Sequence, residues 1–142
     1  MYAVIVRRII RTGFHALSAG DYEQVLRLFH SQVNFSFAGT SPLGGERSGV
    51  EAVREWFRRL YTYFPGIQFT VHQVIVQGWP WNTLAVTRFS IAAPRLDGSV
   101  YDNEAMQFVR LRWGRVVEDH LYEDTHKLEQ ELQQRLSVQA GE

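Results

Sequence analysis

From Ile67 onward the sequence alternates apolar and polar residues through four stretches, which commits the second half of the chain to β-strands. The stretches are Ile67–Gln77, Leu84–Ala92, Val100–Arg112 and Arg115–Glu123. Trp79-Pro80-Trp81-Asn82, Asp97-Gly98 and Trp113-Gly114 lie between them, and each suits a turn. Short turns make consecutive strands antiparallel, so this half reads as a meander with one buried face.

The first half follows a different period. Val6, Ile10, Phe14 and Leu17 form an apolar stripe, widened by Ile5 and Ile9, that predicts an amphipathic helix over Tyr2–Leu17. Ser18-Ala19-Gly20 ends it. Asp21, with Gln24 at the capping-box position, starts a short helix through Phe29. Val33, Phe35 and Phe37 alternate with Asn34 and Ser36 as a strand, and Gly39–Ser48 is a loop on its turn chemistry. Ser48 and Glu51 make a capping box for a helix to about Tyr63, which Pro65-Gly66 breaks. Asp124 and Thr125 cap a short C-terminal helix to about Leu136, after which the tail frays. Helices segregated from a mostly antiparallel sheet define an α+β architecture, expected as one domain over residues 1–142. Helices cover one sheet face, and the other, if apolar, meets a second subunit.

Fifteen basic residues balance fifteen acidic ones, which offers no electrostatic grip on nucleic acid or an anionic membrane. The absence of cysteine removes disulfides, thiolate catalysis and cysteine-bound zinc together. Arg7, Arg8 and Arg11 interrupt the N-terminal apolar run, so it does not read as a signal peptide, and no run reaches the length of a membrane span. The expectation is a cytoplasmic protein. His15, His30, His72 and His126 lack H-x-H or H-E-x-x-H spacing, and no glycine-rich loop fits a phosphate, so neither metal nor cofactor is expected.

Chemistry concentrates in Gly114–His126. As a strand, this segment sends Val117, Asp119 and Leu121 to one face, and Val116, Glu118, His120 and Tyr122 to the other. A two-residue turn at Trp113-Gly114 pairs Arg112 with Arg115 and sets Phe108 opposite Asp119 and Met106 opposite Leu121. One acid among Met106, Phe108, Val117 and Leu121 is the composition of an apolar ligand site with a single polar anchor. A β-bulge would shift that register, and a lone Asp on a strand is more often a wet or salt-bridged group at the sheet edge than a catalytic one. Glu118, Glu123 and Asp124 read most simply as a solvated strand end and a helix cap.

Several short motifs in order carry a resemblance. They are Ala16-Leu17-Ser18-Ala19-Gly20-Asp21 followed by Leu28-Phe29, then Arg47-Ser48-Gly49 opening a helix, and Gly114-Arg115-Val116-Val117 entering the last strand. Over nearly its whole length the chain resembles the nuclear transport factor 2-like superfamily, which includes ketosteroid isomerase, limonene epoxide hydrolase and SnoaL-like polyketide cyclases. The resemblance implies a cone-shaped fold: N-terminal helices packed in a strongly curved sheet, an apolar pocket in its mouth, and a homodimer. Matched to ketosteroid isomerase, the catalytic tyrosine falls on Gly13, the general-base aspartate on Phe37 and the oxyanion-hole aspartic acid on Met106. Matched to limonene epoxide hydrolase, the central arginine falls on Arg88 but its aspartates fall on Ser90 and Leu121. SnoaL-like cyclases place an acid–base carboxylate late in the sheet, where Asp119 stands. The resemblance also implies pocket walls at Phe37, Trp56, Phe57 and Met106, to which the hairpin register adds Phe108 and Leu121.

Two functions are therefore expected. In one, the protein acts on a small hydrophobic carbonyl compound as an isomerase, cyclase or dehydratase, with Asp119 as acid–base group and Arg88 stabilising an oxyanion from the concave face. In the other, the same pocket only binds a ligand or is filled by side chains, and the domain serves binding or dimerisation.

Overall fold

The computed structural model describes residues 1–141, with side chains through Val138. Helices α1 (Tyr2–Ser18) and α2 (Tyr22–Leu26) come first, followed by strands β1 (Phe29–Phe37) and β2 (Gly45–Ser48) and then helix α3 (Val50–Tyr63). Strands β3 (Gln68–Trp79), β4 (Asn82–Pro94), β5 (Val100–Arg112) and β6 (Arg115–Glu123) follow, then helix α4 (Thr125–Gly141). The six strands form one open sheet in the order β2-β1-β6-β5-β4-β3. Only the β1–β6 pair is parallel.

The local rules account for most boundaries. Asp21 caps α2 by accepting the Gln24 N–H, and Asp124 does the same for Lys127 in α4. The expected Ser48–Glu51 capping box does not form. Ser48 is the last residue of β2, and the helix begins instead at Gly49, whose φ of 91° lets the chain turn out of the strand. Three further expectations change. Part of the Gly39–Ser48 loop pairs with β1, since Asn34–Phe37 would otherwise leave an edge unbonded. Strand β1 begins at Phe29, where the second helix was expected to end. The C-terminal helix is as long as α1, because Glu131, 4% exposed, is gripped by Arg95 at 2.9 Å and Arg135 at 2.7 Å.

The sheet curves around α1 and α3, and one hydrophobic cluster fills the concavity. Phe35 and Phe37 of β1 lie 4.8 and 5.4 Å from the Trp56 ring, whose indole N–H donates to the Leu43 carbonyl at 2.8 Å. Phe14 of α1 packs on Phe89 of β4 at 4.7 Å. Each such buried aromatic contributes about 1.5–3 kcal/mol, so this cluster fixes the helices in the sheet.

The register of β5 on β6 departs from the simple hairpin in a way that matters for the site. The turn pairs Arg112 with Arg115 as expected, but Leu111 then opposes Val116 while Arg110 opposes Glu118. Val117 is the extra residue of a β-bulge. Beyond it every partner moves by one: Val109, not Phe108, opposes Asp119, and Gln107, not Met106, opposes Leu121. Val116 rather than Val117 therefore shares the inner face with Asp119 and Leu121.

Candidate functional site: a carboxyl in an apolar cavity

The concave face holds a cavity of about 100 Å³, space for about three water molecules. Helix α1 contributes Ile10, Gly13 and Phe14, helix α3 contributes Trp56 and Phe57, and β4 contributes Phe89 and Ile91. Three inward-facing rows of the sheet supply its floor through Val109, Asp119, Gln107, Leu121, Phe37, Phe89, Ala105 and Glu123. In the first, Ala85, Val109, Asp119 and Phe35 stand side by side; in the second, Thr87, Gln107, Leu121 and Phe37. The third holds Phe89, Ala105 and Glu123.

Asp119 is 3% exposed. Gln107 donates its Nε2–H to Asp119 Oδ1 at 3.1 Å. Burial pushes the carboxyl up to about 7, against the weaker lowering effect of the Gln107 bond. A glutamine suits this neighbour in either protonation state, since its amide can donate to the carboxylate or, turned over, accept from the acid. Among the described residues nothing else bonds the Asp119 carboxyl, which leaves Oδ2 free to meet whatever fills the cavity. Beside Gln107, the fully buried Thr87 hydroxyl has no partner among the described residues.

Of the residues singled out in the sequence, Asp119, Phe37, Trp56, Phe57 and Leu121 line this one cavity. Arg88, Met106 and Phe108 do not. Thr87 and Phe89 point inward, so Arg88 between them points out and is exposed. It lies in an outer row with Gln73, Met106 and Tyr122. Phe108 sits in the next outer row, its ring 6.2 Å from His120. The bulge at Val117 is the physical reason for both hairpin misplacements.

Of the lining residues that were not anticipated as site residues, three bear on the chemistry. Gln107 was hidden by the same one-residue shift. Gly13 had been noted only as a missing tyrosine; a Cβ there would approach nothing closer than Val25 Cγ2 at 3.8 Å, so its hydrogen leaves open space. Glu123 had been read as a solvated strand end. Alternation through Asp119 and Leu121 was the available signal, and the structure puts Glu123 on the cavity wall, half-buried. Burial, with the nearby Asp124 charge, pushes its carboxyl up to about 8.

Residues 10–119 match the SnoaL-like domain family, well over half of the chain. The chain belongs to the SnoaL-like family. Its fold is the cone of the nuclear transport factor 2-like superfamily, an open six-stranded mixed sheet with four helices. A nuclear transport factor 2-like protein of unknown function from Burkholderia pseudomallei K96243 superposes with a TM-score of 0.77 at 20% identity, covering 89% of this chain and 95% of that one. TerC, crystallised with polyporic acid, gives 0.74 at 19% identity over 87% and 95% of the two chains. IdmH, a candidate polyketide cyclase from Streptomyces antibioticus, gives 0.69 at 20% identity over 87% and 94%. No curated protein matches the chain. Such neighbours establish the fold, and this SnoaL-like protein's own residues must carry any argument about chemistry.

Among the described residues no cluster of histidine and carboxylate side chains is arranged to hold a metal ion, and no helix is long and apolar enough to cross a membrane.

Proposed function

We propose that this SnoaL-like protein binds a small, largely apolar carbonyl compound in the concave cavity and that Asp119 exchanges a proton with it. The observation that carries the reading is a buried carboxyl whose one partner is a neutral amide, set in an apolar wall with its second oxygen free. A group that titrates near neutrality can take a proton and return it with little cost in either direction.

The ionised Asp119 removes a proton from the carbon beside the ligand carbonyl, and the electron pair passes to the carbonyl oxygen as an enolate. The Asp119 acid then returns the proton to a different carbon, which is isomerisation. Alternatively the enolate carbon bonds to a second carbonyl of the same molecule and the alkoxide takes the proton, which is aldol cyclisation; subsequent loss of water is dehydration. Gln107 Nε2–H is the amide donor nearest the reacting group and can share its bond with the enolate oxygen. Arg88, exposed on the convex face, has no part in this scheme. Family membership supports small-molecule binding, and IdmH and TerC carry names or ligands in keeping with it.

A second reading, ligand binding without catalysis, is favoured by Gly13, Phe37 and Met106, which stand where ketosteroid isomerase carries its three functional groups. Epoxide hydrolysis is disfavoured because Ser90 and Leu121 replace the needed aspartates and Arg88 lies outside the cavity. We also read the convex face as a homodimer contact, since Ile75, Met106 and Tyr122 are exposed there; a monomer in sedimentation at micromolar concentration overturns this. A cytoplasmic setting accords with the cysteine-free sequence.

The deciding experiment follows deuterium exchange beside the carbonyl of 2-tetralone in heavy water by NMR. The native protein accelerates exchange, and Asp119→Asn loses roughly a hundredfold or more of that rate while still binding the ketone. Binding without acceleration in the native protein installs the second reading. Loss of fold as well as binding in Asp119→Asn assigns Asp119 a structural role.

A further inference from the structure

The cavity has a second carboxyl that a one-anchor site does not use. Glu123 lies four residues beyond Asp119 on β6, on the same face, with Leu121 between them. Its lateral neighbour is Ala105, whose methyl leaves the Glu123 side chain room over the cavity. Among the described residues nothing hydrogen-bonds or ion-pairs with its carboxyl, although the convex-facing Glu118 on the same strand has Arg110 and the cap residue Asp124 has the Lys127 N–H. No arginine, lysine or histidine lines the cavity with it. An acid half-buried against an apolar wall loses part of its hydration, which a ligand hydroxyl or carbonyl can replace.

We infer that the cavity is a two-point site in which Asp119 and Glu123 each contact one oxygen-bearing end of the same ligand, so that Glu123 selects molecules with polar groups at both ends. The inference rests on reading the cavity as a ligand site, and it adds a substrate class to that reading. Four strand residues separate the two Cα atoms by about 13 Å, too far for both carboxyls to grip one carbonyl. The ligand must therefore span them: a rigid, neutral, largely apolar body with a hydroxyl or carbonyl at each end. An anionic end group is disfavoured, because no cation waits for it and both partners are acids.

Matched rods test this. 4,4′-Dihydroxybiphenyl carries a hydroxyl at each end, and 4-hydroxybiphenyl carries only one. Calorimetric titration of the native protein should show the two-ended rod binding about tenfold more tightly, the effect of one additional buried hydrogen bond. Glu123→Leu should erase that preference, and Glu123→Gln, which keeps a hydrogen-bonding amide, should retain most of it. Thermal unfolding of each variant confirms that a folded protein is being titrated. Equal affinity for the two rods in the native protein, or a preference that survives Glu123→Leu, overturns the second contact while leaving a ligand site at Asp119. Failure of both rods to bind overturns the ligand-site reading itself, and the inference with it.

Discussion

Glu118 and Asp119 are consecutive on β6, and alternation sends them through opposite faces of one sheet. On the convex side Glu118 meets the Arg110 guanidinium at 2.7 Å, and this bond, with the added charge of His120, holds its carboxyl below the usual range. On the concave side Asp119 meets only the Gln107 amide, and burial drives its carboxyl up to about 7. The peptide plane between them is the whole of their separation in sequence. What divides them is whether a cation accompanies the carboxylate, and that decides what controls the proton: the charge-assisted hydrogen bond from Arg110 outside, desolvation inside. A titratable group near neutrality thus needs no special residue type here. It needs a strand that buries one neighbour and exposes the next.

The sharpest way to probe the contrast is to take the charge away from the inner side. The unfolded chain ionises Asp119 near 3.8, while the folded protein keeps the proton until about 7. Between these values the folded state binds more protons than the unfolded state, so stability falls as pH rises and levels off above about 7. Asp119→Asn lacks that loss. Its stability relative to the native protein should therefore climb by on the order of 4 kcal/mol between pH 3 and pH 8. Denaturant unfolding of both proteins across that range measures it, and parallel curves would mean that the buried acid finds a compensating partner in solution. Glu123 titrates in both proteins and drops out of the difference.

Much of this site is legible in the sequence itself. The bounds of β5 and β6 follow from alternation and from the Trp113-Gly114 turn, and they match the strands observed. Asp119 and Leu121 fall on one face by simple counting, and both line the cavity. The position of Arg88 was readable too, since Phe89 and Ile91 mark the buried side of β4. The bulge was not readable. Val116 and Val117 are both β-formers, no glycine marks the extra residue, and only the inter-strand hydrogen bonds reveal which valine is out of step. That single residue moved Met106 and Phe108 outside and brought Gln107 in. Strand β2 escaped notice because Gly45–Ser48 is too short and polar to show a period.

A smaller but more direct intervention places a cation where the concave side has none. Gln107→Lys is close in volume and directs an ammonium at Asp119 from the position that now supplies the amide. The Asp119 carboxyl should then drop from about 7 toward the ordinary carboxylate range, moved in the direction in which Arg110 already moves Glu118. Carbon-detected NMR titration, with Asp119→Asn for assignment, reads the shift. An acid that stays near 7 beside the new lysine would show that the ammonium turns away to solvent, and that Gln107 is not held against Asp119 by the packing around it. Any proton exchange at the ligand should slow in parallel, because a more acidic Asp119 is a weaker base.

The least disruptive change is on the convex side, where Arg110→Met removes the cation from Glu118. Here the sign reverses. A carboxyl lowered by folding contributes stability that is present above its unfolded value, near 4.5, and is lost as pH falls through the folded value. The native protein should therefore exceed Arg110→Met in stability at pH 7 and lose that advantage on acidification, the opposite trend to the one Asp119 imposes. The pair is partly exposed, with a quarter of the Arg110 side chain and a third of the Glu118 side chain open to water. Its worth is accordingly at most about 1 kcal/mol and should diminish further in concentrated salt. Salt is the discriminating variable, because desolvation of Asp119 involves no mobile counter-charge and its effect should persist at high ionic strength. If the two acids responded to salt alike, the division between a screened outer pair and a dry inner acid would fail, and the Asp119 shift would have to be ascribed to long-range charge instead.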